Sequence, residues 1–484
     1  MQRGRVGTVQ CDAAGTVQPI LTIAEMRAAD AEALRTVTEQ VLVTRAGTAV
    51  AASALQMLGG AYGRRVVVIA GRGNNGADGR VAAGTLRRRG ARVAVVPAGT
   101  AGELPRCDLV IDAAYGTGFR GTYESPAVPD GVPVLAVDIP SGVSGDTGAA
   151  SGHPARATRT VTFAALKAGL VQGDGAELAG EVVVADIGLR IGPAGAAVVE
   201  DADVDELLPT RRTRSHKWET AVAVVAGSPG MEGAASLCAG GASRAGAGMV
   251  RLAVPGATDP AGGMRPGPWP AEAVGVPLPG SGWATPVLDL LDRCRALVVG
   301  PGLGRAAETA AEVRRLVARS PVPVVADADA LAALGDADTA RSVVTGSDRP
   351  VVLTPHDGEY RSLAGHAPGA DRLAAARDLA RRTGAVVLLK GSPTVVARPP
   401  GPGGGPDVLV SVAGSSRLST AGTGDVLSGV IGAFLARGLG ALPAAALAAH
   451  VHGRAAGSGP AEGLVAGDLP VLVSRWLSGR VGRG

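Results

Sequence analysis

Residues 65–79 read RVVVIAGRGNNGADG, an apolar β-branched run that leads into a glycine-rich loop. Similar runs follow in ARVAVVPAG, CDLVIDAAYGTG and VPVLAVDIPSG, and residues 20–60 before them have the apolar spacing of helices. Continuous apolar strands that alternate with Ala-rich helices are typical of a parallel sheet covered on both faces. The beginning of the chain is therefore predicted to be an α/β domain.

A charged segment interrupts this pattern between about residues 189 and 215, where the chain reads DADVDELLPTRRTRSHK. The strand and helix pattern then restarts at TAVAVVAGSPG and continues to GTGDVLSGVIGAFLARG, without an internal repeat. We expect two different α/β domains, at residues 1–210 and 211–484. Two low-complexity segments, GATDPAGGMRPGPWPAEAVGVPLPG and PPGPGGGPD, are predicted to be exposed loops without a catalytic role.

The composition excludes several classes of protein. Of the 484 residues, 46% are apolar and 19% are charged, so the chain is not disordered. A net charge of +4 is too small to predict a nucleic-acid partner. The absence of long apolar runs predicts a cytoplasmic protein that does not contact a membrane. Whether copies assemble into a homo-oligomer stays open. The cysteines lack zinc-ligand spacing, as in a reduced cytosolic enzyme: Cys11, Cys107, Cys238 and Cys294.

Two residue types are rare enough to mark candidate sites. The chain has two asparagines, Asn74 and Asn75, which are adjacent within the first glycine-rich loop. It also has three lysines among 47 basic residues, Lys167, Lys217 and Lys390. A compositional bias that removes these residue types elsewhere leaves them where chemistry needs them. The asparagine pair is therefore the first candidate site.

Three loops of the first domain carry polar residues at the ends of predicted strands, namely residues 71–79, 112–121 and 138–142. In a parallel sheet these loops emerge at one edge, where ligands bind. A single aspartate there is often only a helix cap, but Asp112 and Asp138 lie beside the asparagine loop. The oxygens of Asn75, Asp112 and Ser141 are placed to gather around one cation. Because one of them is a carboxylate, K⁺ is favoured over Ca²⁺.

The segments GRGNNGADG, IDAAYGTGFRG and VDIPSG resemble NAD(P)H-hydrate epimerase, and the similarity covers residues 20–190. The resemblance implies a Rossmann-like, three-layer αβα domain that interconverts the R and S epimers of hydrated NADH and NADPH. It implies K⁺ bound by Asn75, Asp112 and Ser141, and Asp138 is our choice for the acid/base group. The implied substrate contacts are Asn74, Asn75, Gly76, Ala77, Asp78, Gly116, Thr117, Gly118, Phe119, Arg120, Gly121, Thr122 and Asp138.

Two positions depart from the family pattern. This chain has Ala77 where the family usually has Gly, and Tyr115 where the family usually has Phe. A methyl group at position 77 is harmless if the backbone φ is negative and strained if it is positive. These departures are the support for an alternative, a dinucleotide-binding module that has lost its activity. Lys167 matches a lysine of the family. Alternatively, Lys167 is only a surface charge.

The second domain contains the segment TAGTGD at residues 420–425, which runs into an apolar helix. Successive backbone N–H groups in such a turn bind anions, and the helix dipole adds positive potential. A phosphoryl group with developing charge suits this position. Asp425 can take a proton from a substrate hydroxyl. The chain has no Walker A motif, so a P-loop enzyme is excluded.

This segment resembles the ribokinase-like superfamily, and GSPGMEGAASL, VGPGLGR, DADAL, LTPHDGEYRSL and LKGSPTVV are similar to the ADP-dependent NAD(P)H-hydrate dehydratases. The similarity spans residues 215–470. It implies a ribokinase-like α/β domain that uses ADP with Mg²⁺. The implied contacts to the hydrate are Ala234, Gly302, His356 and Asp425, and those to the adenine nucleotide are Lys390, Gly391, Ser392, Pro393, Thr394 and Gly424.

Several alternatives stay open at this stage. The second domain could be a kinase of a vitamin alcohol, with the first domain as a regulatory dinucleotide-binding module. His356 could be a buried structural residue, and Lys390 a surface charge, although Lys390 directly follows an apolar run. Trp218, next to Lys217, stands where the family usually has Gly. Because the sequence around Lys217 differs from the family pattern, the role of this lysine stays open. His450 and His452 point to different helix faces and are interpreted as packing or solvated residues, not metal ligands.

Overall fold

The computed structural model describes residues 18–259, 262–401 and 405–480. These residues form two compact units, which divide between Gly195 and Ala196. The sequence predicts a boundary after residue 210. Residues 196–198 form a strand that pairs with residues 408–410, so this part of the chain packs with the second unit. Cys11 lies outside the described residues, and Cys107, Cys238 and Cys294 are buried free thiols.

The elements of the first unit follow the strand and helix order that the sequence predicts. They are β1 (Gln18–Leu21), α1 (Ile23–Ala33), α2 (Glu39–Leu58), β2 (Arg65–Ala70), α3 (Asn74–Arg88), β3 (Arg92–Pro97), β4 (Leu109–Ala113), β5 (Tyr123–Glu124), β6 (Val134–Val137), β7 (Gly152–His153), β8 (Arg159–Phe163), β9 (Leu166–Lys167), α4 (Gly173–Leu178) and β10 (Glu181–Ala185).

The main sheet of the first unit has the order β10-β8-β6-β4-β2-β3, and its strands are parallel. Every residue of β4 and β6 is buried, so both faces of the sheet are covered. The chain places β3 on one side of β2 and β4 on the other. The order of the strands therefore reverses at β2, and a ligand crevice is expected at the carboxyl ends of β2 and β4.

Helices α2 and α3 pack together and bury small residues against one face of this sheet. By length and composition alone, α2 is apolar enough to cross a membrane. Its buried residues Ala46, Val50 and Ala54 belong to the core, together with Ala82 and Leu86 of α3. The predicted helix pattern of this region is therefore confirmed.

The second unit continues the alternation. Its elements are β11 (Ala196–Val198), α5 (Asp201–Leu207), β12 (Ala221–Val225), α6 (Glu232–Arg244), β13 (Met249–Pro255), β14 (Ala273–Leu278), α7 (Ala284–Leu291), β15 (Ala296–Val299), α8 (Ala307–Arg319), β16 (Val324–Ala326), α9 (Asp329–Leu334), α10 (Ala337–Val344), β17 (Val351–Leu353), α11 (Asp357–Ala364), α12 (Arg372–Thr383), β18 (Val386–Leu389), β19 (Thr394–Ala397), β20 (Val408–Ser411), α13 (Thr423–Ala436), α14 (Ala441–Ser458) and α15 (Leu469–Ser478).

The strands of the second unit follow the order β14-β13-β12-β15-β16-β17-β18-β19-β20-β11. Strands β14 to β18 are parallel, whereas β19 is antiparallel to both β18 and β20. The order reverses at β12, which places a second crevice at the carboxyl ends of β12 and β15. The α/β class is confirmed in both units. One expectation is wrong in part, since the low-complexity segment at residues 256–280 contains β14, which pairs with β13.

Candidate active sites

The glycine-rich loop of the first unit leads directly from β2 into α3. Asn74 begins the helix, so the unpaired N–H groups of the first turn lie at the carboxyl edge of the sheet. A Cβ atom on Gly76 would lie 2.0 Å from the carbonyl oxygen of Gly71, which explains why glycine is required there. Asn74 Nδ2 donates a hydrogen bond to Glu39 Oε1 at 2.9 Å. Ala77 lies inside α3 and is not among the residues with positive φ, so its methyl group causes no backbone strain.

Asp112 and Ser141 are in direct contact at the ends of β4 and β6. Ser141 Oγ donates a hydrogen bond to Asp112 Oδ1 at 2.6 Å, and the Ser141 N–H donates to Oδ2 at 2.9 Å. Asp112 is buried, and burial raises the pKa of its carboxyl group. Asn75 lies beside Gly116, since its Oδ1 is 3.3 Å from where a Cβ atom on Gly116 would stand. Its Nδ2 is buried and has no hydrogen-bond partner among the described residues.

This donor set fits the implied K⁺. None of the ion pairs found among the described residues includes Asp112, so within that part of the chain no cationic side chain is paired with this buried carboxylate. One carboxylate with hydroxyl and amide oxygens suits a monovalent ion better than a divalent one. Asn75, Asp112 and Ser141 are the residues that would hold it.

Asp138 directly follows β6, with a backbone φ of 66°. This left-handed conformation is uncommon outside glycine, although aspartate tolerates it better than most residues. Asp138 Oδ1 forms an ion pair with Lys167 Nζ at 2.8 Å and accepts a hydrogen bond from Thr162 Oγ1 at 3.2 Å. The side chain of Lys167 is 2% exposed, so the interpretation of this lysine as a surface charge is wrong.

Two more carboxyl groups lie around this pair. Burial, with a smaller contribution from the charge of Asp138, raises the pKa of Asp78 to about 8. Burial also raises the pKa of Asp30, on α1, although the charge of Lys167 lowers it. Asp30 and Thr162 are not identifiable from the sequence, because nothing in their local sequence indicates that α1 and β8 approach Asp138.

The loop with the remaining predicted substrate contacts follows β4. It is half-buried at Gly116 and Thr117 and exposed from Arg120 to Thr122. Tyr115, which stands where the family has Phe, packs against Phe119 with ring centroids 4.3 Å apart. The phenol therefore occupies the same aromatic cluster that a phenylalanine could fill.

In the second unit, the TAGTGD segment forms the turn that begins α13. Gly422 caps the helix with a φ of 87°, which L side chains rarely adopt. Thr423 Oγ1 donates a hydrogen bond to the Leu418 carbonyl oxygen at 2.9 Å and thereby closes the turn. A Cβ atom on Gly424 would lie 3.3 Å from Lys390 Nζ. The start of α13 and the end of β18 therefore meet at one place.

Lys390 forms an ion pair with Asp327, which follows β16. Lys390 Nζ lies 2.6 Å from Asp327 Oδ1, and the carboxylate also accepts hydrogen bonds from Ser428 Oγ and Thr354 Oγ1, both at 2.7 Å. Burial acts to raise the pKa of Asp327, but Lys390 and the hydrogen bonds outweigh it and lower the pKa. The interpretation of Lys390 as a surface charge is wrong, since 21% of its side chain is exposed.

Asp425 lies in the first turn of α13, near this ion pair. Burial, together with the negative charge of Asp327, raises the pKa of Asp425 to about 7, although Lys390 acts in the opposite direction. A carboxyl group with this pKa can accept and return a proton near neutral pH. Asp327 is the first aspartate of the DADAL motif, but nothing in the sequence indicates that it pairs with Lys390.

The other predicted contacts of this unit lie at the same edge of the sheet. His356 caps α11, and its Nδ1 accepts a hydrogen bond from the Gly358 N–H at 2.9 Å. Its side chain is 60% exposed, so it is not a buried structural histidine. The Lys390 N–H donates to the Pro355 carbonyl oxygen at 2.8 Å, which joins this loop to residues 391–394. A Cβ atom on Gly302 would lie 3.0 Å from that of Ala234.

His450 and Lys217 contact other parts of the unit, whereas His452, on α14, lies near Thr423 and Lys390. His450 Nε2 is 2.8 Å from Asp201 Oδ1, and burial lowers the pKa of His452 to about 4. Within the described part of the chain, no group of three His, Cys, Asp or Glu residues is placed to hold a metal. Lys217 is exposed, with Nζ 5.9 Å from the ring of Trp218.

Comparison with known proteins gives matches along most of the chain. Residues 222–477 match the family model described as NAD(P)H-hydrate dehydratase, and residues 39–104 and 97–169 match that of the YjeF-related protein N-terminus. The bifunctional NAD(P)H-hydrate repair enzyme Nnr of Mycobacterium leprae is 38% identical over 94% of this chain and 97% of that protein. The protein of the same name from Salinibacter ruber is 38% identical over 98% of both chains.

Among solved structures, the ADP/ATP-dependent NAD(P)H-hydrate dehydratase from Bacillus subtilis, co-crystallised with ATP and Mg²⁺, is similar to part of this chain. It has a TM-score of 0.49 and 28% sequence identity, and the match covers 58% of this chain and 97% of that one.

Proposed function

The chain belongs to the family of bifunctional NAD(P)H-hydrate repair enzymes, and we propose that its two units carry two successive activities. The first unit interconverts the R and S epimers of NADH hydrate and NADPH hydrate. The second unit dehydrates the S form with ADP, which gives NAD(P)H, AMP and phosphate. The similarity along the whole chain favours this function over the kinase of a vitamin alcohol. Asp425, with a pKa of about 7 at the start of α13, carries the proposal.

The second reaction needs activation because hydroxide is a poor leaving group. Asp425 takes the proton of the substrate hydroxyl, whose oxygen attacks the terminal phosphorus of ADP and releases AMP. The N–H groups at residues 422–424 stabilise the charge of the transferring phosphoryl group. Elimination of phosphate, with loss of a proton from the adjacent ring carbon, then restores the dihydropyridine ring. Ala234, Gly302 and His356 contact the hydrate in this proposal.

Lys390 and residues Gly391–Thr394, together with Gly424, bind the adenine nucleotide. Bound with ADP, Mg²⁺ would neutralise part of the charge of the phosphates. The charges of Asp329 and Glu359 act on Asp425, but among the described residues no group of three His, Cys, Asp or Glu is placed to hold a metal ion. The donor set therefore fits an ion that is held chiefly by phosphate oxygens and water.

In the first unit, Asp138 takes a proton from the hydroxyl group of the hydrated carbon and returns it after the bond from that carbon to the ring nitrogen has opened and closed again on the other face. Residues Asn74–Asp78 and Gly116–Thr122 bind the nucleotide, with the N–H groups at the start of α3 available to a phosphate. A K⁺ ion held by Asn75, Asp112 and Ser141 would fix the ends of β4 and β6 in place. Asp138 follows β6 directly, so its position depends on the same strand end.

The function is tested with the isolated S epimer of NADH hydrate, ADP and Mg²⁺. We expect the near-ultraviolet absorbance of the dihydronicotinamide to return, with release of an equal amount of AMP. Addition of the R epimer afterwards tests the first unit in the same sample, because this epimer is consumed only after conversion to S. If no absorbance returns with ADP or ATP, the dehydratase proposal is wrong, and small alcohols become the substrates to screen.

Replacement of K⁺ by tetramethylammonium is expected to slow epimerisation. The bulky cation cannot approach the oxygens of Asp112 and Ser141, which lie 2.6 Å apart. The measurement is the rate of R-to-S conversion at constant ionic strength, together with the melting temperature of the protein in each salt. Return of K⁺ should restore both values. Equal rates and equal melting temperatures in the two salts would contradict the ion site.

A further inference from the structure

Lys167 of the first unit has no role in the mechanism above, although it is buried beside Asp138. Its ammonium group pairs with Asp138 Oδ1 at 2.8 Å and donates hydrogen bonds to Thr162 Oγ1 at 2.8 Å and to the Phe163 carbonyl oxygen at 2.9 Å. The three N–H donors of the ammonium group thus have three oxygen acceptors. A lysine in such a setting is fixed in position.

The residue type supports a geometric requirement at this position. Only three of the 47 basic residues of the chain are lysines, so arginine is the default cation. An ammonium group is compact and carries three donors on one atom, whereas a guanidinium group is a planar fork. Three acceptors that converge on one buried point suit the ammonium group and exclude the fork.

The two carboxylate oxygens of Asp138 have different surroundings. Oδ1 accepts from Lys167 and Thr162. Oδ2 lies 3.5 Å from where a Cβ atom on Gly116 would stand, and Asn75 Oδ1 lies 3.3 Å from the same point. Oδ2 therefore faces the space beside Gly116, between the two loops to which we assign the substrate.

The backbone provides a separate observation. Within residues 18–259, 262–401 and 405–480, three residues other than glycine have positive φ, namely Asp138, Ala164 and Ala328. Asp138 is one partner of the ion pair, and Ala164 lies in the short turn between Phe163 and Lys167. Such strain persists where the surrounding structure enforces it, and it is concentrated at active sites. One partner of this pair therefore has an unusual backbone conformation itself, and the turn that leads to the other partner contains a second such residue.

We propose that Lys167 is a positioning residue of the epimerase site, which binds Oδ1 of Asp138 and thereby keeps Oδ2 free and directed at the substrate. The inference rests on the proposed function of the first unit. Lys167 does not touch the substrate in this arrangement. Its loss should therefore lower the rate of the reaction step more than the affinity for the substrate.

The first test compares Lys167→Met with Lys217→Met in the full-length protein. Methionine keeps most of the side-chain volume but has no charge and no donor. For Lys167→Met we expect kcat of epimerisation to fall about 100-fold, the size of effect that misplacement of a catalytic group produces. KM should stay close to the wild-type value. Lys217→Met, on an exposed lysine of the other unit, should leave epimerisation unchanged.

A second test covers the case in which Lys167→Met disturbs folding. Lys167→Ala leaves a cavity that propylammonium can enter, whereas propanol has a similar shape without the charge. We expect propylammonium, but not propanol, to restore kcat of epimerisation. Unchanged kcat in Lys167→Met, or no recovery with propylammonium, would overturn the proposal. If the wild-type protein itself does not epimerise the hydrate, the proposed function of the first unit fails instead.

Discussion

Replacement of Asp425 by asparagine is expected to slow dehydration of the S hydrate by about 100-fold or more and to leave epimerisation unchanged. Asparagine keeps the size of the side chain at the start of α13 but cannot take the proton of the substrate hydroxyl. General-base catalysis contributes about 100- to 10,000-fold to a rate, so kcat of dehydration should fall within that range. The measurement is the return of dihydronicotinamide absorbance from the S epimer with ADP and Mg²⁺.

The pH dependence of the wild-type protein gives an independent check on this residue. Burial and the charge of Asp327 raise the pKa of Asp425 to about 7. Since the carboxylate is the base, kcat of dehydration should be highest above pH 7 and fall as the pH drops through this value.

The matched control for this variant is Asp348→Asn. Asp348 is an exposed aspartate of the same unit, so its replacement should leave both activities intact. Two results would contradict the assignment. One is dehydration at the wild-type rate in Asp425→Asn. The other is loss of both activities, which would mean that the two units are not functionally separable.

The positions of the candidate sites could be predicted from the sequence because they depend on local patterns. Apolar runs that end in polar residues predict strands whose carboxyl ends meet at one edge of a parallel sheet. The sequence predicts in this way that Asp112 and Asp138 lie at the same edge, and in the structure their strands, β4 and β6, are neighbours in the sheet. The turn of residues 420–425 was likewise predicted as the start of a helix, and α13 begins there.

The partners within each site could not be predicted, because they come from distant parts of the chain. Lys390 is predicted to contact the nucleotide, and Lys167 is left between a site role and a surface charge, but the sequence predicts no partner for either lysine. In the structure each is paired with an aspartate, Lys167 with the half-buried Asp138 and Lys390 with the buried Asp327. A local sequence does not determine which strand lies beside another, and this arrangement decides which charges meet.

For one segment, the composition gives a prediction that is partly wrong. Residues 256–280 are rich in glycine and proline and were predicted to be an exposed loop, yet they contain β14 at the edge of the sheet. β14 pairs on one side only, with β13, and most of its residues are exposed or half-buried. Because an edge strand does not need the continuous apolar run of a central one, its sequence resembles a loop.

Replacement of Asp138 by asparagine is expected to produce the opposite separation, with loss of epimerisation and intact dehydration. Asparagine tolerates the left-handed φ of 66°, whereas alanine at this position would add backbone strain. The amide oxygen can still accept from Lys167 at the place of Oδ1. The amide nitrogen then replaces Oδ2 and cannot take a proton, so kcat of epimerisation should fall about 100-fold or more.

The substrate for this experiment is the isolated R epimer, supplied with ADP and Mg²⁺. Dihydronicotinamide then returns only if the first unit produces the S epimer, while added S epimer reports on the second unit in the same sample. Asp130→Asn, on an exposed aspartate of the first unit, is the matched control. If the Asp138→Asn variant converts the R epimer at the wild-type rate, Asp138 has no part in the mechanism. In our proposal Lys167 acts through Asp138. The double variant Asp138→Asn with Lys167→Met should therefore have a kcat of epimerisation no lower than that of Asp138→Asn alone.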